Sequence, residues 1–157
     1  MKPTASFEKA DALYDSGRFN DAFKMFVELC NAGDAASCSR VAIMYGDGRG
    51  VEYDFEKSVE WDLRALELGN VSSLLNLGVT FRTHGAAREA RKYFERAIAA
   101  GDGDAMLELA KLLDVSDFET ANVLRLLRLM LESDSVTEGS REEASSLVTE
   151  IERRGSR

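Results

Sequence analysis

Three dipeptides, Gly33-Asp34, Gly69-Asn70 and Gly101-Asp102, recur at spacings of 36 and 32 residues. A glycine can take the left-handed conformation that ends one helix. The Asp or Asn beside it can cap the start of the next. A chain punctuated in this way is confined to helix hairpins repeated in register, each burying its apolar face only against its neighbours. The composition agrees. Pro3 is the sole proline, so no later helix is interrupted. Ala, Leu, Glu, Lys and Arg dominate, and strand-favouring runs of Val, Ile, Thr and Tyr are absent.

The apolar pattern repeats with the punctuation. Ala10, Ala42, Gly78 and Ala110 align, and Leu13, Tyr45, Phe81 and Leu113 follow each by three. A small and a large residue on one helix face suit two closely packed helices. In the second helices, Met25, Trp61 and Tyr93 align, as do Leu29, Ala65 and Ala97. The pattern predicts nine helices, at about 4–16, 19–32, 35–46, 54–68, 71–84, 87–100, 103–114, 117–132 and 140–154. They form one domain over 1–157, with units at about 4–33, 34–69, 70–101 and 102–132. The second unit is longer by the Gly46–Asp54 loop. The fourth departs from the pattern after Leu113, with Asp117 where the turn glycine would stand and a Leu-rich helix from Phe118 to Leu131. Glu132 to Gly139 reads as a polar linker. Ser140-Arg141-Glu142-Glu143 then has the form of a capping box. Ala144, Leu147, Val148 and Ile151 make one apolar stripe, as expected of a helix that covers the last open face. Docking of that helix on a second chain is the alternative.

The net charge of −8 argues against nucleic acid as a partner, because phosphate contacts need a basic surface. Such a field would steer in a basic protein, although acidity also serves solubility. No uncharged apolar run is long enough to span a membrane, and the first residues have no apolar core of a signal peptide. A complete, soluble, cytoplasmic protein, monomeric when free, is the expectation. Cys30 and Cys38 read as small buried thiols, since two cysteines in a chain this long are no disulfide framework.

Catalytic patterns are absent. Gly46-Asp47-Gly48-Arg49-Gly50 lacks the Gly-Lys-Ser/Thr ending of a phosphate loop. Asp102-Gly103-Asp104 lacks the further ligands of a calcium loop. His84, the one histidine, sits at a predicted helix end, where it can interact with the last carbonyls. No enzyme, cofactor or metal site is expected. Trp61 is expected between the helices of its own hairpin and the neighbouring one. Arg88, Arg91, Lys92 and Arg96 form a basic stripe, read as a solvated outer face with a docking patch for an acidic segment as the alternative.

Tyr45, Gly48-Arg49-Gly50-Val51, Asp54, Lys57-Ser58, Trp61, Ala65 and Gly69 together resemble a Sel1-like repeat, a variant of the tetratricopeptide repeat. The first unit (Leu13-Tyr14, Gly17, Phe19, Ala22, Phe26) and the third (Leu77-Gly78, Phe81, Gly85, Ala90, Phe94, Ala97) resemble ordinary tetratricopeptide repeats. The likeness spans roughly residues 5–132. It implies an all-α fold, a right-handed α-solenoid of about four helix hairpins with a C-terminal capping helix. It also implies a non-catalytic scaffold whose first helices line a concave partner-binding face. By register that face holds Phe7, Asp11, Tyr14, Asp15, Ser39, Ile43, Asp47, Leu75, Val79, Arg82, Leu107 and Lys111, with Thr83 and Asp114 beside them. An apolar centre with an acidic rim would suit another protein. A stoichiometric, immunity-type inhibitor of a toxin or effector is the specific expectation, and an adaptor or chaperone-like scaffold for peptide segments the alternative.

Overall fold

The computed structural model describes residues 6–114 and 120–155, and among them every regular element is an α-helix. The helices are α1 (Phe7–Asp15), α2 (Phe19–Asn31), α3 (Ala35–Asp47), α4 (Phe55–Glu67), α5 (Ser73–Thr83), α6 (Ala87–Ala99), α7 (Asp104–Asp114), α8 (Thr120–Leu131) and α9 (Glu138–Gly155). These are the expected elements, displaced by a few residues at their ends. Asp117 and Phe118 lie outside the described residues.

The punctuation works as its chemistry demands. Gly33, Gly69 and Gly101 all have φ between 93° and 96°. Asp34 then caps α3 by accepting from the Ser37 N–H at 2.9 Å, and Asp102 accepts from Ala105 N–H at 3.2 Å ahead of α7. At Asn70 the backbone carbonyl takes this part, accepting from Ser73 N–H. Asp54 caps α4 through Lys57 N–H at 3.0 Å. That bond, with the Lys57 ammonium at 3.1 Å, holds the Asp54 carboxyl below its ordinary range.

The chain divides into two compact units, residues 1–80 and 81–157, with the boundary inside α5. In the first unit α1 packs on α2, α2 on α3 and α3 on α4. Ala10, Ala22, Phe26, Val41 and Met44 form its centre, with Trp61 at the edge. Trp61 also packs on Cys30, Cys38 and Ala65, which is the wedge position its spacing suggested. In the second unit α6 and α8 both pack on α7, and α9 packs on α8 and α7. Phe94, Ala110, Val123, Leu127 and Met130 are buried there, as are Ala144 and Ile151 of α9. The four aligned small residues, Ala10, Ala42, Gly78 and Ala110, are buried in every repeat.

Two local expectations are corrected. Cys30 and Cys38 are not free thiols; they form a disulfide with Cα atoms 4.8 Å apart. The pair lies at the end of α2 and the start of α3, where the tight Gly33 turn brings the two helix termini together. The capping box at Ser140 is replaced by a cap at Thr137, whose Oγ1 accepts from Ser140 N–H at 3.4 Å. Thr137 is preferred because its own N–H donates to Asp104 Oδ1 of α7 at 3.1 Å. The segment expected to be a linker is therefore packed down. A Cβ on Gly103 would stand 2.5 Å from Val136 Cγ2. Arg141 completes the end of this unit by donating to the carbonyls of Leu131, the last residue of α8, and of Ser133 just beyond it.

Candidate partner-binding face

The twelve register positions fall into both units. Phe7, Asp11, Tyr14, Asp15, Ser39, Ile43, Asp47, Leu75 and Val79 belong to the first, and Arg82, Leu107 and Lys111 to the second.

Within the first unit two arginines that register alone did not nominate join α1 to α3 and to the loop that follows it. Arg40 Nη2 donates to Asp11 Oδ1 at 2.6 Å. Its guanidinium carbon lies 5.9 Å from the Phe7 ring centre and 5.6 Å from that of Tyr14. Arg49, from the Gly-rich loop, donates to the Tyr14 hydroxyl at 2.8 Å and lies 5.8 Å from the rings of Tyr14 and Phe19. Asp47 stands 3.8 Å from Arg49. Half-buried Phe7, Tyr14 and Arg40 thus make one amphipathic patch with exposed Arg49. The signal for Arg40 was present: it lies one helical turn before Ile43 on α3. The acidic rim is altered as a result. Asp11 and Asp47 have arginine partners, while Asp15 is exposed.

The loop that supplies Arg49 is itself held by close backbone approach. Gly50 has φ +75°, and its α-carbon abuts the first turn of α2. Gly46 does the same toward Ser58 of α4.

Ser39 and Leu107 do not face outward. Leu107 is 2 % exposed, and Ser39 is buried with its hydroxyl donating to Asp62 Oδ1 at 3.1 Å. Both stand three residues before the aligned small residue. That place points toward the second helix of the hairpin, as the Phe7–Phe26 ring contact at 5.5 Å shows for the first repeat. Ile43, Leu75 and Val79 are half-buried on their helices.

Asp62 is the most unusual group in this region. It follows the aligned Trp61, so it occupies the place that Phe26 and Phe94 fill in the neighbouring repeats. It is 1 % exposed. Besides Ser39, Asn76 Nδ2 lies 3.4 Å from Asp62 Oδ1 and donates to Ser39 Oγ at 2.8 Å. Burial pushes the Asp62 carboxyl up to about 6, against the opposing pull of its hydroxyl and amide donors.

In the second unit, Arg82 and Lys111 belong to a chain of ion pairs. Arg82 meets Glu108 at 2.6 Å, and Lys111 meets Glu108 at 3.0 Å and Glu143 of α9 at 2.7 Å. Burial opposes the charge of Lys111, but the two carboxylates outweigh it and hold the ammonium above its ordinary value. The side chain of Asp114 lies outside the described residues, and Thr83 is exposed. His84 is exposed one residue past α5.

Among the described residues no group of three His, Cys, Asp or Glu side chains could hold a metal ion. Nor is any helix there long and apolar enough to cross a membrane.

Comparison with known proteins places this geometry. Residues 35–70 and 73–102 match the Sel1 repeat model. The second match covers the unit that resembled an ordinary tetratricopeptide repeat, so a Sel1 repeat need not carry the Gly-x-Gly-Val loop found at 48–51. Comparison with curated proteins returns no match. A Sel1 repeat protein from Oxalobacter formigenes is similar at 22% identity and TM-score 0.64, over 81% of this chain and 55% of that one. A protective antigen present in uropathogenic Escherichia coli strains, displaying an SLR fold, is similar at 20% identity and TM-score 0.58, over 69% of this chain and 25% of that one. The chain thus spans about half of the first solved structure and a quarter of the second. Two segments of the chain thus match the Sel1 repeat model, and its all-α fold is similar to those of the two solved structures.

Proposed function

We propose that this protein is a non-catalytic binding module that engages another protein through the α1–α3 face of its first unit. The observation that carries this reading is the patch of Phe7, Tyr14, Arg40 and Arg49. Aromatic and arginine side chains, part apolar and part polar, are the types that dominate interface energetics. Their ion pairs are partly exposed and can be exchanged for a partner's groups at low cost. The patch is mixed in charge, so it favours a partner carrying both signs over a purely basic one.

The repeat architecture supports an adaptor that receives a segment of its partner. The stoichiometric-inhibitor reading is supported by the net charge of −8 alone. The two separate by complex formation: an inhibitor makes a tight one-to-one complex with a folded partner. The Cys30–Cys38 disulfide supports an oxidising compartment over the cytoplasm.

The test is site-specific photo-crosslinking in the native cells, with the crosslinking residue at Tyr14 and, as a control, at exposed Glu60 of α4. A discrete protein adduct from position 14, absent from position 60 and reduced by Arg40→Ala, is the expected result. Identical adducts at both sites, or none at position 14, would remove the proposal.

A further inference from the structure

The second unit has a separate feature that the α1–α3 face does not explain. Because α6 and α8 both pack on α7, a trough of about 270 Å³ remains between them. Leu109 and Leu113 of α7 form its floor, and Ile98 and Leu126 its apolar walls. Arg91 stands on the α6 side and Arg125 on the α8 side. Arg125 also borders an adjoining hollow of about 340 Å³ along α8, with Leu124, Arg128 and Leu129. Leu129 is 46 % exposed, one of few large apolar side chains so placed.

The charge here opposes that of the molecule. The chain carries −8, yet α6 and α8 together hold six cations (Arg88, Arg91, Lys92, Arg96, Arg125 and Arg128) against two carboxylates, Glu89 and Glu95; of these Arg91, Arg125 and Arg128 line the two hollows, with Glu95 and Glu132 beside them. All six cations are exposed. Glu95 pairs with Arg91 inside α6 at 2.9 Å, and Glu152 of α9 pairs with Arg128 at 3.0 Å. Both are solvent-exposed pairs, of the kind that contributes about 0–1 kcal/mol and can be exchanged. A local cationic patch on an acidic protein selects a ligand whose negative charge is placed to meet it and whose remaining surface avoids the rest of the field.

We propose that the α6–α8 trough is a docking groove for an acidic amphipathic helix of a partner protein. The trough wall on α6 runs from Arg91 to Ile98, which is about 10 Å of helix rise. That length suits apolar anchors at i, i+3/i+4 and i+7 of a bound helix. Those anchors would enter between Ile98 and Leu126 over the Leu109–Leu113 floor. Acidic residues on the flanks would meet Arg91, Arg125 and Arg128, displacing Glu95 and Glu152. Among the described residues no aromatic side chain lines either hollow, so no stacking platform for a single-stranded nucleic acid is seen there.

The test uses a fluorescein-labelled peptide of about 18 residues, with Leu at i, i+3, i+4 and i+7 and Glu on the remaining turns. Its fluorescence anisotropy is titrated with the whole protein at about 0.15 M salt. A scrambled peptide of the same composition, a single-stranded RNA and phosphatidylserine vesicles are measured beside it. The expected result is saturable binding of the amphipathic peptide, with the scrambled peptide at least about tenfold weaker. The double variant Arg91→Glu/Arg125→Glu should lose at least about tenfold, and Arg40→Glu on the first unit should lose nothing. That last variant separates this groove from the α1–α3 face, so either proposal can fail alone. Circular dichroism of each variant establishes that the helices are intact. Equal binding of the scrambled peptide would reduce the effect to bulk electrostatics and overturn the groove. So would an undiminished double variant, or tighter binding to RNA or vesicles than to the peptide.

Discussion

A Cβ atom added to Gly50 would stand 2.6 Å from the carbonyl oxygen of Phe19, at the first turn of the preceding repeat's second helix. The same residue has φ +75°, so the position excludes a side chain both sterically and conformationally. Gly85 has a similar φ of +81°, but nothing lies within 4 Å of its added Cβ. Gly50→Ala is therefore expected to cost about 3 kcal/mol and Gly85→Ala about 1 kcal/mol. Urea denaturation of the two variants measures the difference. Equal costs would mean that the loop does not lean on α2.

Asp62 gives a pH dependence with a definite sign. Its folded pKa of about 6 exceeds the ordinary aspartate value of 3.8, so between these values the folded state holds a proton that the unfolded chain has released. Its contribution to stability therefore falls as pH rises from about 4 to about 6, and stays at the lower level above that. Asp62→Asn keeps the size and removes the charge. The variant is expected to be more stable than the parent by about 3 kcal/mol at pH 8, with the gap closing near pH 4. Denaturation of both proteins across that range provides the check; a gap independent of pH would contradict it.

The disulfide closes a short loop, with its cysteines eight residues apart in sequence. Loop-closure entropy predicts that opening it costs about 2 to 3 kcal/mol. The denaturation midpoint should fall when a phosphine reductant is added, and should not respond to reductant in Cys30→Ala/Cys38→Ala. Iodoacetamide should label the purified protein only after reduction. Full labelling without reductant would show that the bond is not there.

Arg141 holds the end of α8 through two carbonyls, and its position on α9 ties the two helices together. Arg141→Ala is expected to cost about 2 kcal/mol. Hydrogen exchange should quicken over 132–155 and leave 35–67 unchanged. Acceleration spread over the whole chain would mean that Arg141 acts on global stability rather than on this terminus.

The helices were legible because their signals are local. Gly33, Gly69 and Gly101 end helices wherever the chain folds, and Asp34 and Asp102 reach donors three residues away. Ala10, Ala42, Gly78 and Ala110 could be aligned because a shared packing environment imposes a shared size. The site was only partly legible for the opposite reason. Register placed Ser39 and Leu107 on the concave face, but both are buried, which a linear spacing does not reveal. Arg40 and Arg49 were missed because their partners, Asp11 and Tyr14, lie about 30 residues upstream. The disulfide was missed because cysteine count is a statistical argument, whereas a turn at Gly33 is a geometric one. Asp62 could have been found: it breaks a column otherwise occupied by Phe26 and Phe94.

A covalent staple between Cys30 and Cys38 fixes the splay of the first two hairpins at their shared corner. Helical arrays ordinarily flex like a coil, widening or narrowing to suit what they hold. Here the end of α2 is tied covalently to the start of α3. A partner taken up on the proposed α1–α3 face would meet a corner whose spacing is set by a covalent bond.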